Sequence, residues 1–187
     1  MENAKMFCFQ CQEALNCVGC TKAGVCGKKP EVSNMQDLLI YVTKGLSYVA
    51  TALRKEGKEV SKEVGRFVST NLFVTITNAN FDEEAIIDRI YKTLDLKKNL
   101  LGQLKDLSKL PEAALWDKRN VEDMEKKARV VGILSIENED IRSLKELITY
   151  GLKGLAAYNK HANVIGYSNE EIDAFAQETL AKLLDPA

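Results

Sequence analysis

The sequence predicts an all-α protein, a helical bundle made of two small bundles that share a core, preceded by an irregular cysteine-rich loop. Three observations support this fold class. Apolar residues recur at spacings of three and four through most of the chain after residue 30, which is the period of an amphipathic helix. No segment shows strand character together with a partner strand. All five cysteines lie before residue 27, in a stretch without sustained periodicity.

The first three helices are predicted at 34–56, 61–77 and 83–107. Gly57 is a suitable C-terminal stop for the first helix, because glycine accommodates the left-handed conformation that ends many helices. The second segment ends in β-branched residues that could also form a strand, but no partner strand is visible, so a helix is favoured. Asp82 is a suitable N-cap for the third helix.

The second half of the chain predicts three further helices, at 121–131, 139–164 and 169–184. The Leu110-Pro111 step opens an irregular stretch before them, and this stretch holds the only tryptophan, Trp116.

Capping signals support the last two of these helices. Asn138 or Asp140 can cap the long helix and Gly166 can end it. The segment 168–171 reads Ser-Asn-Glu-Glu, a capping box that starts the last helix.

Two of the predicted helices resemble each other. The run LLIY followed by KGL occurs at 38–46, and LITY followed by KGL occurs at 147–155. A glycine inside a helix costs roughly 1 kcal/mol relative to alanine, so Gly45 and Gly154 indicate close approach of a neighbouring helix. We therefore expect two tightly packed central helices, and the short match leaves open whether they arose by duplication.

Composition excludes several classes of protein. The chain has 187 residues, enough for a hydrophobic core without covalent staples. Its 26 basic and 27 acidic residues give a net charge of −1, so we expect neither a nucleic-acid partner nor an anionic membrane. There is no run of 18 apolar residues and no signal-peptide pattern at the start, which predicts a cytoplasmic location.

The cysteines point to metal ligation. Five cysteines within the first 26 residues, and none in the other 161, do not resemble the dispersed, even-numbered framework of a secreted disulfide protein. A cytosolic setting also keeps thiols reduced. The lone histidine, His161, lies far downstream in a helical segment, and we expect a surface or packed histidine there rather than a ligand.

Two partitions of the cysteines compete. Cys8-x2-Cys11 with Cys17-x2-Cys20 would form a four-thiolate zinc site, but the gap of five residues between the pairs is short for that geometry. Cys8, Cys11, Cys20 and Cys26 would instead give the spacing C-x2-C-x8-C-x5-C with Cys17 as a bystander, and a larger cubane accepts such uneven spacings. Spacing favours iron–sulfur over zinc, and zinc over redox thiols or a disulfide.

Glycines and lysines in the loop agree with a cluster. Glycine lets backbone amides approach cluster sulfurs, and positive charge stabilises a reduced, anionic cluster. The lysines can equally be a solvated surface, because exposed lysine is common. The residues concerned are Gly19, Gly24, Gly27, Lys22, Lys28 and Lys29.

Several runs of the sequence are distinctive beyond the cysteine spacing. They are MFCFQCQE (6–13), GCT (19–21), GVCGK (24–28), QDLLIY (36–41), LFVTITNAN (72–80), GILS (132–135) and AY (157–158). These runs resemble the hybrid cluster proteins, also called prismanes or hydroxylamine reductases. The likeness spans nearly the whole chain and includes long consecutive matches.

The resemblance implies a [4Fe-4S] cubane held by Cys8, Cys11, Cys20 and Cys26 in the anaerobe-type spacing. Family members are much longer, and their hybrid iron–sulfur–oxygen cluster is bound in later α/β domains, so this chain resembles the amino-terminal helical domain alone. We then expect 1–30 to be the cluster loop and 31–187 the bundle.

The function implied by the resemblance is electron transfer. A redox donor protein would supply electrons, and the missing C-terminal domains would reduce hydroxylamine to ammonia, with nitric oxide left open as a second substrate. This chain alone would be inactive as a reductase. A structural zinc module and a thiol redox sensor are the alternatives, and a homodimer is left open.

Overall fold

The structure, a computed structural model, describes residues 5–76 and 78–185, and this part of the chain is all-α, as predicted. No helix in these residues is both long and apolar enough to cross a membrane. Seven α-helices are formed in the described segments. They are α1 (Pro30–Lys55), α2 (Lys62–Val74), α3 (Glu83–Leu101), α4 (Glu112–Leu115), α5 (Val121–Val131), α6 (Glu139–Val164) and α7 (Glu170–Lys182).

Several helix ends differ from the prediction for local reasons. Helix α1 starts four residues early because Pro30 occupies its first turn, where a missing N–H costs nothing. Helix α3 stops at Leu101 rather than at 107, because the chain tightens there into turns in which Gln103 and Leu104 donate to the carbonyls three residues earlier. Helix α2 ends at Val74 with Thr75 as its C-cap, and Thr77, the end of the predicted helix, lies outside the described residues.

Side-chain caps begin four of the helices. The Asp82 carboxylate accepts a hydrogen bond from the Ala85 amide, as predicted. Asn138, rather than Asp140, caps α6 by accepting from the Ile141 amide at 3.0 Å. Asn169, rather than Ser168, caps α7. In each case the side chain satisfies an amide that has no partner within the helix. Asn120 caps α5 in the same way.

The irregular stretch around Trp116 contains a short helix that the sequence pattern did not predict. Pro111 directly precedes α4, and the Ala113 carbonyl lies against α1 at Gly45. A Cβ atom built on Gly45 would lie 2.1 Å from that oxygen. The close approach predicted from the two helical glycines is therefore present at Gly45 but not at Gly154, whose Cβ position has no neighbour within 4 Å in the described residues.

Helix α1 is the centre of the molecule and contributes to two apolar clusters. Its C-terminal half packs with α2, α6 and α7, and its N-terminal half packs with α3 and α5. The first cluster includes Leu46, Val49, Leu53, Val64, Val68, Leu72, Leu152, Ala156 and Leu180. The second consists of Met35, Leu38, Leu39, Val42, Ile86, Ile90, Leu94, Met124 and Ala128.

The likeness between α1 and α6 extends to two helical hairpins. Both helices have 26 residues, and the helices that follow them, α2 and α7, both have 13. A left-handed glycine ends the first helix of each hairpin, Gly57 with φ 75° and Gly166 with φ 91°. Helix α1 packs on α7 and helix α6 packs on α2, which is a reciprocal arrangement. The four helices are thus related as two copies of one hairpin.

Candidate metal centre

Two short segments of the cysteine-rich loop pair in an antiparallel manner. The Cys8 amide donates to the Cys20 carbonyl at 3.1 Å, and the Cys20 amide donates to the Cys8 carbonyl at 2.8 Å. Residues that exchange both bonds have Cα atoms about 5.5 Å apart, with side chains on the same face. The pairing therefore brings together Cys8 and Cys20, the latter buried.

The chain between these two cysteines forms a turn and a short 3-10 helix, Leu15–Cys17. Cys11 lies at its start, partly buried, and its carbonyl accepts from the Ala14 amide at 3.1 Å. Cys17 lies at its end, exposed, in the left-handed conformation with φ 57°. The environment of Cys17 thus differs from that of the buried Cys20 three residues later.

Cys26 lies in a tight turn that depends on Gly24. The Gly27 amide donates to the Gly24 carbonyl at 2.9 Å, and the Gly24 amide donates to the Lys28 carbonyl at 2.8 Å. A Cβ atom on Gly24 would lie 3.0 Å from Cys26 Sγ and 3.2 Å from the Lys28 nitrogen. Such contacts are tighter than most Cβ atoms make, so a side chain at Gly24 would displace the Cys26 thiol or the Lys28 backbone by a few tenths of an ångström.

All five cysteines are free thiols. In the described residues, backbone hydrogen bonds pair Cys8 with Cys20 and pair no other two cysteines in this way. Within residues 5–76 and 78–185, no three His, Cys, Asp or Glu side chains gather tightly enough to hold a single metal ion. His161 is exposed and contacts the edge of Phe73, so the structure places it as a surface histidine, as expected.

The loop is attached to both long helices. The Tyr150 hydroxyl on α6 donates to the Gln10 carbonyl at 2.6 Å. On α1, the Asn34 amide donates to the Lys5 carbonyl at 3.0 Å. These bonds hold the segment around Cys8 and Cys11 against the hairpin helices.

One of the loop lysines is buried instead of solvated. Lys28 is only 1% exposed, and its ammonium donates to Gln36 Oε1 at 2.7 Å. Gln36 in turn donates to the Asn80 carbonyl at 2.9 Å. Lys22 and Lys29 are exposed, so the solvated-surface interpretation holds for them but not for Lys28. A fixed positive charge thus lies two residues from Cys26.

A cleft of about 430 Å³ opens beside the loop, between α1 and α6. Its charged lining includes Asp37 and Lys44 on α1 and Glu146 and Lys153 on α6. Burial raises the pKa of Asp37 well above the usual carboxyl range, although the Lys153 charge opposes this shift. Burial likewise lowers the pKa of the Lys153 ammonium, opposed mainly by Asp37.

Sequence reasoning missed these charged residues, although a signal for them was present. Asp37 and Lys44 on α1 occupy the same positions in the hairpin repeat as Glu146 and Lys153 on α6. The repeated lysine was visible in the matched KGL runs. Repeated charges at matching positions of two related helices are the signal for the polar cleft that lies between them.

Comparison with known proteins assigns the family. The model of the Prismane/CO dehydrogenase family matches residues 6–186. The chain belongs to this family. Its membership confirms the resemblance to the hybrid cluster proteins, and members of this prismane family are iron–sulfur proteins.

The chain is also similar to curated relatives named hydroxylamine reductase. It is 54% identical to the one from Desulfovibrio desulfuricans, over 99% of this chain and 34% of that protein. The identity is 52% to the one from Clostridium perfringens, over 96% of this chain and 34% of the relative. A relative from Bacteroides fragilis is also 52% identical, over 95% of this chain and 32% of that protein. The chain therefore spans about a third of the length of these prismane relatives.

Proposed function

We propose that this chain is an iron–sulfur electron-transfer domain of a hydroxylamine reductase. In this proposal Cys8, Cys11, Cys20 and Cys26 hold a [4Fe-4S] cluster. The observation that carries the proposal is the pairing of Cys8 with Cys20, because it aligns two of the four thiols on one face of a loop fixed to the bundle. Family membership supplies the iron–sulfur chemistry.

The chemistry of the donor set fits such a cluster. Thiolates are the ordinary ligands of [4Fe-4S] clusters, and uneven spacings along a loop suit a cluster better than a single ion. The loop also supplies a tight glycine turn at Cys26 and the buried charge of Lys28. When bound, the cluster would accept and release single electrons.

The residues of this chain would position that group and set its environment. The loop's hydrogen bonds to Tyr150 and Asn34 hold the thiols at a fixed place on α1 and α6. Buried positive charge favours the reduced state, which carries one more negative charge. Electrons would arrive from a redox donor and pass to the hybrid cluster in the rest of the longer protein, where hydroxylamine would be reduced to ammonia.

Metal analysis of protein purified without oxygen tests the proposal. We expect about four irons and four acid-labile sulfides per chain, with a paramagnetic signal on dithionite reduction. One zinc and no sulfide would replace the proposal with a structural zinc module. Metal-free protein whose cysteines switch reversibly between thiol and disulfide would instead support a thiol redox sensor.

Two matched cysteine substitutions test the proposed ligand set. Cys20→Ser removes a buried proposed ligand, and we expect loss of the reducible cluster signal. Cys17→Ser removes the exposed thiol three residues away, and we expect iron and sulfide contents to remain unchanged. The reverse result, with Cys17 required and Cys20 dispensable, would contradict the proposed partition.

A further inference from the structure

Helix α6 presents an apolar surface to solvent. We call it the α6 face, and its members project at helical spacing along one side of the helix. Leu147 is 68% exposed and Leu144 is 61% exposed, although leucine is normally a core residue. Contiguous apolar surface of this kind marks a site of contact with another element or molecule. The α6 face consists of Leu144, Leu147, Ile148, Gly151, Gly154 and Tyr158.

The hairpin repeat shows what this face corresponds to in the first hairpin. Position by position, Leu144, Leu147, Ile148 and Gly151 of α6 match Met35, Leu38, Leu39 and Val42 of α1. These four α1 residues are buried, with Met35 1% exposed and the other three completely inaccessible. They are the residues that α1 contributes to its second apolar cluster.

Helices that follow the first hairpin cover these α1 residues. Helix α3, which comes directly after α2, supplies Ile86, Ile90 and Leu94, and α5 supplies Met124 and Ala128. Helix α4 lies against Gly45. On α6 the matching glycine, Gly154, has open space around its Cβ position within the described structure. In the described residues, the second hairpin thus has the matching surface but no helix that covers it.

We propose that the α6 face is a docking surface for helical chain that, in the longer relatives, follows the segment matching residues 1–187. This chain would pack on α6 as α3 packs on α1. The occupant would be an amphipathic helix with an apolar stripe, one of whose turns approaches Gly154 closely. The proposal extends the view of the chain as part of a longer reductase, and it does not depend on the cluster.

The length of the relatives and the position of residue 185 support this occupant. This chain spans about a third of its relatives, so ample sequence follows the matched region in them. The Lys145 ammonium donates to the carbonyls of Leu183, at 3.1 Å, and Asp185, at 2.8 Å. Residue 185 therefore lies within reach of the Lys145 side chain on α6, one residue along the helix from Leu144. In the first hairpin only residues 75–82 separate α2 from α3, and a similar connection would suffice here.

Hydroxyl-radical footprinting of two proteins tests the proposal. One is this chain, and the other is this chain joined to the remaining two thirds of the Desulfovibrio desulfuricans reductase. We expect oxidation of Leu144, Leu147 and Tyr158 to fall several-fold in the joined protein. Leu107, which is exposed outside the α6 face, should be oxidised equally in both. Equal oxidation of the α6 face in both proteins would overturn the proposal.

A matched pair of substitutions gives a second, independent readout. Leu147→Asp should leave the melting temperature of this chain almost unchanged, because the side chain is exposed, and should lower that of the joined protein by several degrees. Leu107→Asp should change the melting temperature by the same amount in both proteins. If Leu147→Asp has the same effect in both proteins, the proposal fails.

The α6 face could instead be covered by a second copy of the protein, and sedimentation distinguishes this dimer from an intramolecular helix. A dimer of the joined protein that Leu147→Asp dissociates would mean that a second copy covers the α6 face, and it would overturn the proposal. A joined protein that sediments identically with and without Leu147→Asp, together with the footprint expected above, supports an intramolecular occupant. Metal content does not enter either readout, so failure here is distinguishable from failure of the proposed cluster.

Discussion

At the scale of single residues, the buried ammonium of Lys28 is the clearest electrostatic feature of the cysteine loop. The ammonium donates to Gln36 Oε1 at 2.7 Å and lies over the Phe81 ring. The backbone end of the same residue lies near the thiol, because the Cβ position of Gly24 is 3.0 Å from Cys26 Sγ and 3.1 Å from Lys28 Cβ. A charge shielded from water acts more strongly on its neighbours than an exposed one.

Replacing Lys28 by methionine should lower the midpoint potential of the bound cluster. Removing a positive charge disfavours the more negative reduced state, and Coulomb's law at intermediate dielectric gives a shift on the order of tens of millivolts. The measurement is an EPR-monitored redox titration. Lys29→Met removes the neighbouring exposed charge and should shift the potential much less. Lys28→Arg keeps the positive charge and should leave the potential close to that of the unchanged protein. Equal shifts for Lys28→Met and Lys29→Met would contradict this account.

The raised pKa of Asp37 predicts a pH-dependent stability. Between the ordinary carboxyl pKa near 4 and the raised native value, the unfolded chain has lost this proton and the native protein has kept it. The free energy of unfolding must therefore fall as pH rises through this window. Asp37→Asn removes the cost of burying a charged carboxylate. We therefore expect the free energy of unfolding to rise by about 1 to 2 kcal/mol at pH 8 and hardly at all at pH 4.

Urea unfolding at the two pH values measures this difference. Asp88 provides a control, because it is an exposed carboxylate on α3 paired with Lys92. Asp88→Asn should change the free energy of unfolding by less than about 0.5 kcal/mol at either pH. A gain for Asp37→Asn that is the same at pH 4 and pH 8 would show that burial of its charge is not the cause.

At the scale of helices, the two matched glycines Gly45 and Gly154 predict opposite responses to the same substitution. Gly45→Ala places a methyl group against the Ala113 carbonyl, so α4 must move, and we expect a loss of about 2 to 3 kcal/mol. Gly154→Ala meets open space and gains helix propensity, so we expect a gain of about 0.5 to 1 kcal/mol in this chain. Denaturant unfolding of both variants is the measurement. Changes of the same sign would disprove the assigned packing.

Helices were predictable from the sequence because their apolar period and caps are local signals. The bounds of α5 and α6 are those predicted, and each helix begins directly after an asparagine whose side chain caps it. The errors have tertiary or very local causes: α3 ends early at Gly102, and α4 is a single turn too short to show a period. The matched KGL runs indicated two related helices, but the shared packing of the hairpins became visible only with the helix lengths and contacts.

At the scale of the whole molecule, the site was less predictable than the fold. Spacing alone could nominate Cys8, Cys11, Cys20 and Cys26, because ligand geometry limits the intervals between them. It could not show that Lys28 is buried, since that depends on Gln36 in α1 and on Asn80 before α3. The charged cleft between α1 and α6 likewise requires side chains that are more than 100 residues apart in sequence, such as Asp37 and Glu146.

The division between loop and bundle predicts that the helices survive without the cluster. Both apolar clusters are built from residues after Pro30, and neither contains a cysteine. The loop joins the helices mainly through hydrogen bonds at its edges, such as those of Tyr150 and Asn34. Because burial of apolar surface dominates folding, loss of the cluster removes little of what stabilises α1 to α7.

Chelation and oxidation of the anaerobically loaded protein should therefore leave the helical far-ultraviolet circular dichroism and a cooperative thermal transition in place. Limited proteolysis should cut faster only between residues 5 and 29, where metal ligation would otherwise restrain the backbone. Zinc-finger-like domains behave in the opposite way, because they unfold when the metal is removed. If the helical signal disappeared together with the iron, the bundle would depend on its cluster for folding, and the independence inferred from the two apolar clusters would be wrong.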